Sequence, residues 1–373
     1  MAKHITQLDL FSGIGGFHLG FEKAGFKVKS YFSEIDKHAI AVYKHQFKDA
    51  QYVGSVTDIR GEQLPKIDLI TFGSPCQDFS LAGKRAGLAG DRSGLILEAI
   101  RLIRECRPSV FIWENVKGSF SSNDGRDFAA ILQEFTDLGG YRCEWQLLNT
   151  SWVLPQNRER VYFVGYSTKP GRNWRGVFPI GEKPSGTNEG TRDATNVRAL
   201  VAGAKSGGRH STMTLLKVKS ATKQGYEIAE EGDSINLTAI NSTTRRGRVG
   251  KAQAQTLDTL CAQAVVEPKI IGYTRNAKGK VTDRHLKDTA GTIHKSSGQG
   301  GNTDQFVQHY RIRRLTPIEC ERLQGFPDNH TAYGIYEGEV KKMSNTQRYK
   351  QCGNAVTVDI VALVAEAVKP LLK

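Results

Sequence analysis

Seven short apolar runs in the first 167 residues, separated by stretches of helical period, constrain this chain more than any other feature. The runs are Ile5–Phe11, Lys27–Phe32, Gln51–Val53, Ile67–Phe72, Ser109–Trp113, Tyr141–Asn149 and Arg160–Gly165. Between them, Phe17–Ala24, Asp36–Gln46, Ser93–Cys106 and Gly125–Leu138 read as helices. Strands alternating with helices build βαβ units. The pattern therefore predicts an α/β fold with a Rossmann-like, doubly wound, mainly parallel sheet covered on both faces. Such sheets hold ligands outside the carboxyl ends of their strands. Chemistry-bearing residues at those ends are the first candidates for function.

Gly73-Ser74-Pro75-Cys76-Gln77 follows the fourth run and puts Cys76 at the mouth of the sheet, as a candidate nucleophile. Ser12-Gly13-Ile14-Gly15-Gly16 follows the first run, where glycines permit a sharp turn and close approach to a ligand. A dinucleotide fingerprint would carry a third glycine at position 18. His18 stands there, which favours an adenosine-type cofactor. Glu34 ends the second run, placed to accept hydrogen bonds from ribose hydroxyls. Glu114 ends the fifth run, after apolar Ile112 and Trp113, and is open to a ligand, a helix cap or an ion pair. Arg158 and Arg160 are two apart on an extended segment and share a face, turned to the cleft or to solvent. Asn354 precedes the apolar helix expected over Val356–Leu372, and either caps it or touches a ligand.

After Thr168 the character changes to Gly, Ser, Thr, Asn, Lys and Arg, with short β-like runs at Ser234–Ile240 and Ala264–Ile271. Residues 169–308 hold 22 lysines and arginines against 12 acids, ten of the net charge of +14. A basic, Gly-rich insert suits a polyanion, nucleic acid first, although a solvated basic surface has the same composition. Thr243-Thr244-Arg245-Arg246-Gly247-Arg248 is its densest basic run. The cysteines at 76, 106, 143, 261, 320 and 352 form no Cys-x-x-Cys pair, which argues against structural zinc and a disulfide framework and fits a reducing cytoplasm. No bilayer-spanning run and no signal peptide are expected.

Together these segments resemble the bacterial and phage DNA (cytosine-5) methyltransferases. The resemblance rests on Asp9–Phe17, Ser33–Asp36, Gly73–Ser80, Asp91–Leu95, Glu114–Val116, Pro155–Tyr162, Arg314–Asp328 and Gly353–Val356, in the family's order, and covers roughly 1–167 and 311–373. One departure is Gly54-Ser55, where the family usually has Gly-Asp; Ser55 or Asp58 is left to face the cofactor's adenine.

The resemblance implies S-adenosylmethionine as methyl donor, double-stranded DNA as partner, and cytosine carbon 5 as acceptor. It implies the methyltransferase form of the α/β fold, with a smaller, irregular, β-rich target-recognition domain. The expected domains are 1–168 for catalysis, 169–325 for recognition, and 326–373 returning to the first. Cys76 would add to carbon 6 of a flipped cytosine, Glu114 would meet ring N3 and the exocyclic amine, and Arg158 and Arg160 would hold the base and favour the thiolate. Cofactor contacts are expected from Phe11, Gly13, Gly15, Gly16, Glu34, Pro75 and Asn354. DNA contacts are expected from Ser80, Lys84 and Arg85 on a Gly- and Ala-rich lid, and from Arg245, Arg246 and Arg248. No metal is expected. A cytoplasmic monomer with a cognate restriction endonuclease as functional counterpart completes the expectation. The rivals are an RNA (tRNA) cytosine-5 methyltransferase, a catalytically silent DNA-binding relative, and a NAD-dependent enzyme, the last disfavoured by His18.

Overall fold

The computed structural model describes residues 2–73, 94–120, 126–168, 176–181, 216–238, 242, 244–275, 281–287 and 307–372. The chain divides into two units: residues 1–182, 256–261 and 316–373, and residues 183–255 and 262–315.

The first unit is built on a seven-stranded sheet. In chain order its strands are β1 (Lys3–Leu10), β2 (Phe26–Ser33), β3 (Gln51–Tyr52), β4 (Leu69–Gly73), β5 (Val110–Val116), β6 (Tyr141–Asn149) and, after the two-residue β7 (Gln156–Asn157), β8 (Glu159–Ser167). Their spatial order is β3-β2-β1-β4-β5-β8-β6. The first five are mutually parallel, and β8 runs antiparallel between β5 and β6. All seven runs expected from sequence are strands. The order reverses between β1 and β4, so the ligand crevice of a doubly wound sheet belongs outside the ends of these two strands.

Alternation along the strands explains the two covered faces. In β5, Phe111 and Trp113 join one core with Ile70 and Phe72, while Val110 and Ile112 join another with Leu69 and Ile5. The first core is closed by α3 (Leu95–Cys106), which buries Ile96, Ala99, Ile100, Leu102 and Ile103 at helical spacing, and by α4 (Arg126–Thr136). The second is closed by α1 (Gly16–Lys23) and by α7 (Val358–Val368). Gly20 lets these two helices touch, since a β-carbon there would collide with Val361. α7 buries Val358, Ile360, Val361, Val364 and Val368, each contributing about 1.5–3 kcal/mol. α2 (Lys37–Gln46) starts where the Asp36 carboxylate accepts from His38 N (2.9 Å) and Ala39 N (3.4 Å).

The C-terminal return begins at α5 (Pro317–Leu323), whose capping box pairs Thr316 with Glu319. A hairpin, β17 (Tyr333–Tyr336) with β18 (Glu339–Lys342), and α6 (Asn345–Asn354) follow. The expected boundary at 325 therefore moves: residues from Thr316 onward, and the strap 256–261, belong to the first unit. The physical reason is a buried polar lattice. Gln156 donates to Leu323 O (2.7 Å), Gln46 to His330 O (2.6 Å), and the Thr150 and Thr357 hydroxyls share a hydrogen bond (2.9 Å). By length and composition alone the run through α6 and α7, Asn345–Val368, would pass for a membrane-crossing helix, but 56% of its most apolar window is buried in the fold, as in a core helix.

The described part of the second unit is β-rich. β9 (Leu216–Lys219) pairs with β10 (Tyr226–Ala229), and β11 (Ser234–Asn236) pairs with both β12 (Val249–Gly250) and β14 (Gln263–Arg275), preceded by β13 (Ala254–Gln255). β14 also pairs with β15 (Val281–Lys287) and β16 (Val307–Arg314), all antiparallel. Its small core is Val218, Ala229, Ile235 and Val266.

Candidate active site

A cavity of about 640 Å³ opens at the carboxyl ends of β1, β2, β4 and β5 in the first unit. The chain leaves β1 through a left-handed turn, with φ of +51° at Phe11, +53° at Gly13 and +85° at Gly15. A phenylalanine in that region is uncommon, and Phe11 lines the cavity together with Gly13 and Ile14. Glu34 fastens the turn. Its Oε2 accepts from Gly13 N (2.9 Å), and its Oε1 from Ile35 N (2.7 Å) and Asp36 N (3.0 Å). Gly15 and Gly16 do not line the cavity. Their β-carbons would collide with Phe47 and Val356, so these glycines serve close packing. His18 likewise belongs to the interior, stacked on Phe47 with centroids 3.9 Å apart.

The floor of the site lies across β4 and β5. Gly73 and Glu114 are register partners, and a β-carbon at Gly73 would press on Glu114 Oε2 at 3.2 Å. Glu114 is 8% exposed. Arg160 Nε stands 3.1 Å from its Oε1, close enough to pair by charge although not aligned for a hydrogen bond. Arg160 and Glu114 both line the cavity. Removing either partner of so buried a pair would leave an uncompensated charge. Cys76 follows Gly73 by three residues in the chain, and with Pro75, Ser80, Lys84 and Arg85 it lies outside the described residues.

Arg158 departs from the sequence reading. It reaches the cavity wall, but Nη2 donates to Ala355 O (2.8 Å) and Gly353 O (3.5 Å), and Nη1 to Leu257 O (3.4 Å). Burial first, and then nearby Arg160, bring its pKa down to about 10. The guanidinium is held by backbone rather than offered to the cleft. Asn354 lines the cavity as the last residue of α6, and the next helix starts at the Thr357 cap, so Asn354 is not its N-cap.

Several lining residues were not singled out in the sequence. Ile35 is 79% exposed, an apolar side chain at a strand tip on the cavity wall. Asp36 pairs with Lys350 at 2.7 Å, and both line the cavity. Only the fold brings these together, 314 residues apart in sequence. Of the two candidates left open beside the adenine, Ser55 lines the cavity and Asp58 does not. Near the end of β1, Asp9 is fully buried and accepts from Thr71 (2.7 Å) and Tyr43 (3.3 Å); burial pushes its pKa up to about 8.

In the second unit the three arginines expected at DNA differ. Arg246 is exposed, with Nε donating to Ala221 O (2.9 Å). Arg245 is half-buried and donates to Thr238 O (3.3 Å). Arg248 is fully buried and donates to Ser242 O (3.4 Å), so it is a pin for its own loop and not a surface contact.

A sequence model of the C-5 cytosine-specific DNA methylases matches residues 5–370. The chain belongs to the C-5 cytosine-specific DNA methylase family. Type II methyltransferase M1.ScrFI of Lactococcus lactis subsp. cremoris is 31% identical over 368 residues, 98% of this chain and 78% of that protein. Type II methyltransferase M.FnuDI of Fusobacterium nucleatum is 31% identical over 369 residues, 98% and 94% of the two chains. The fold of this methylase is also that of the Entamoeba histolytica methyltransferase EhMeth (TM-score 0.56, 16% identity, 100% and 99% coverage). It is shared as well by a putative DNA modification methyltransferase from an Escherichia coli prophage (TM-score 0.54, 19% identity, 99% and 99% coverage).

Proposed function

We propose that this cytosine-5 DNA methylase transfers a methyl group from S-adenosylmethionine to carbon 5 of a cytosine flipped out of duplex DNA, through a covalent Cys76 adduct. The observation that carries the reading is the Glu114–Arg160 pair beside Gly73, at one end of a cavity whose other end is held by Glu34. The cavity fits an adenosyl cofactor. It has a carboxylate at the tip of β2, an exposed apolar side chain at Ile35, a left-handed turn at Phe11 and Gly13, and room of about 640 Å³. Phe11, Glu34, Ile35, Ser55 and Asn354 would hold it. Bound there, S-adenosylmethionine supplies a methyl group already activated on a sulfonium.

Carbon 5 of cytosine is a weak nucleophile. Addition of the Cys76 thiolate to carbon 6 makes a carbon–sulfur bond and pushes an electron pair into the ring. Glu114 disperses that charge by hydrogen bonding at N3 and the exocyclic amine, while Arg160 orients Glu114 and adds positive field. Carbon 5 would then bond to the methyl carbon as the methyl–sulfonium bond breaks, leaving a neutral thioether. Loss of its proton to a base expels the thiolate and restores the aromatic ring. The base must leave the duplex for carbon 6 to be reached. Ser80, Lys84 and Arg85 are proposed to close over the DNA, and Arg245 and Arg246 to contact it.

The function follows as modification of duplex DNA in the bacterial cytoplasm, by a monomer, with protection against a cognate restriction endonuclease as its role. The test is incorporation of labelled methyl into duplex DNA and into tRNA. Incorporation into DNA with conversion of cytosine to 5-methylcytosine is expected; incorporation into tRNA alone would overturn the reading.

A further inference from the structure

Arg158 is 3% exposed, and its guanidinium bridges two pieces of chain far apart in sequence. Two of its acceptors, Gly353 O and Ala355 O, lie at the end of α6, beside Asn354. The third, Leu257 O, lies in the strap 256–261. Carbonyls closing a helix lack intrahelical donors and carry partial negative charge, so a buried cation answers them. The strap is fixed from other sides too. Leu257 N donates to Gln156 Oε1 (3.3 Å), Thr256 Oγ1 to Asn157 O (2.7 Å), and Cys261 Sγ to Tyr349 O (3.3 Å). Gly353 is the point of closest approach: a β-carbon there would collide with the Asp258 carbonyl. Arg158 Nε is buried without a partner among the described residues, so all the hydrogen bonds this guanidinium makes there go to backbone.

We infer that Arg158 is a positioning residue. It clamps the strap onto the end of α6 and thereby sets the cavity wall at Gly353, Asn354 and Ala355, instead of holding the target base. This rests on the cavity being the cofactor seat.

The test measures affinity of the full-length protein for S-adenosylhomocysteine by calorimetry, and the single-turnover methylation rate at saturating cofactor and DNA. Two variants are compared. Arg158→Met removes the clamp, and Gln156→Met removes a neighbouring side chain that touches the strap at Leu257 N and α5 at Leu323 O, while leaving the guanidinium's hold in place. Arg158→Met is expected to weaken the cofactor analogue by about tenfold or more, with the saturated rate falling by less than about fivefold, and Gln156→Met, which keeps the clamp, to weaken it by less than about threefold. Arg158→Lys should recover part of the affinity. An Arg158→Met protein with wild-type affinity and a saturated rate reduced about 100-fold would overturn the inference in favour of a base contact. Should Arg158→Met fail to fold, Arg158→Lys decides: wild-type affinity with a saturated rate reduced about 100-fold would overturn the inference in the same way. If the wild-type protein transfers no methyl group to duplex DNA, the proposed function fails, while the affinity comparison still reads the clamp.

Discussion

The two units bury polar groups to different ends. In the first, Glu114, Arg158, Arg160 and Asp9 gather behind or around one cavity at the strand ends. In the second, a half-buried and a buried carboxylate tie down loops. Glu227 accepts from Gly247 N (2.9 Å), Val249 N (3.0 Å) and the Ser220 hydroxyl. Asp233 accepts from Glu230 N (2.8 Å), Ala252 N (3.1 Å) and Lys251 (2.7 Å). A seven-stranded sheet with two large cores is stiff enough to hold charges unevenly satisfied beside a cleft. A unit whose described core is four small clustered side chains needs each polar group satisfied locally to hold its loops at all. The chemistry is thus expected to sit in the first unit and the choice of DNA site in the second.

The most severe break of that division is at the nucleophile. Cys76→Ser should lower methyl transfer by more than about 10³-fold, yet leave sequence-specific DNA binding intact in a gel-shift assay. Turnover near the wild-type rate would remove Cys76 from its role. Glu114→Gln should cost about 10²-fold in single-turnover rate, because it removes the acid and leaves Arg160 without its counter-charge. A loss smaller than about threefold would make the pair a structural one and leave the base without its partner.

The second unit is tested by two arginines that look alike in sequence. Arg248→Met should destabilise that unit by about 1–3 kcal/mol, seen as faster hydrogen exchange in β11 and β14. Arg246→Ala should leave exchange unchanged and lower the slope of log affinity against log salt by about one. The reverse outcome would mean that the loop presents its arginines the other way round.

This contrast shows what the sequence could carry. Strand and helix periods reveal the seven-stranded sheet because burial on both faces writes itself into alternation, as in Val110-Phe111-Ile112-Trp113. Glu34 and Glu114 are legible because a carboxylate at an apolar strand end is conspicuous. The burial of Arg248 and the exposure of Arg246 are not, since both sit in one basic run and only the fold separates them. Nor could local pattern reveal that 256–261 folds with the first unit, or that Lys350 meets Asp36. Those pairings depend on loop closures of about 100 and 300 residues, which leave no periodic trace. α6 escaped notice for a related reason: Asn345–Asn354 buries Arg348, Gln351 and Cys352, two polar side chains among three, so it shows no apolar stripe.

The smallest effect concerns protons, and here Asp9 in the first unit should respond with opposite sign to Glu227 and Asp233 in the second. Burial holds the Asp9 pKa up at about 8, against 3.8 for the ordinary carboxyl. Between those values the unfolded chain has released its proton and the folded chain retains it. Asp9 therefore withdraws stability as pH rises through that window, and the deficit is complete above about pH 8. Asp9→Asn, which keeps a neutral hydrogen-bonding group, should raise the melting temperature by a few degrees at pH 8–9 and by little at pH 4–5, roughly the scale of 1 kcal/mol in a chain of this size. In the second unit burial also pushes Glu227 and Asp233 up, but their hydrogen bonds outweigh it and both pKa values end below normal. Their contribution is present above the ordinary carboxyl range and is lost as pH falls through the lowered values. Acid should therefore loosen the loops held by Glu227 and Asp233 while removing the penalty at Asp9, and hydrogen exchange around these groups at pH 3 and pH 8 would separate the two effects. Asp9→Asn melting at one constant offset from wild type across that range would show that Asp9 does not keep its proton in the folded chain.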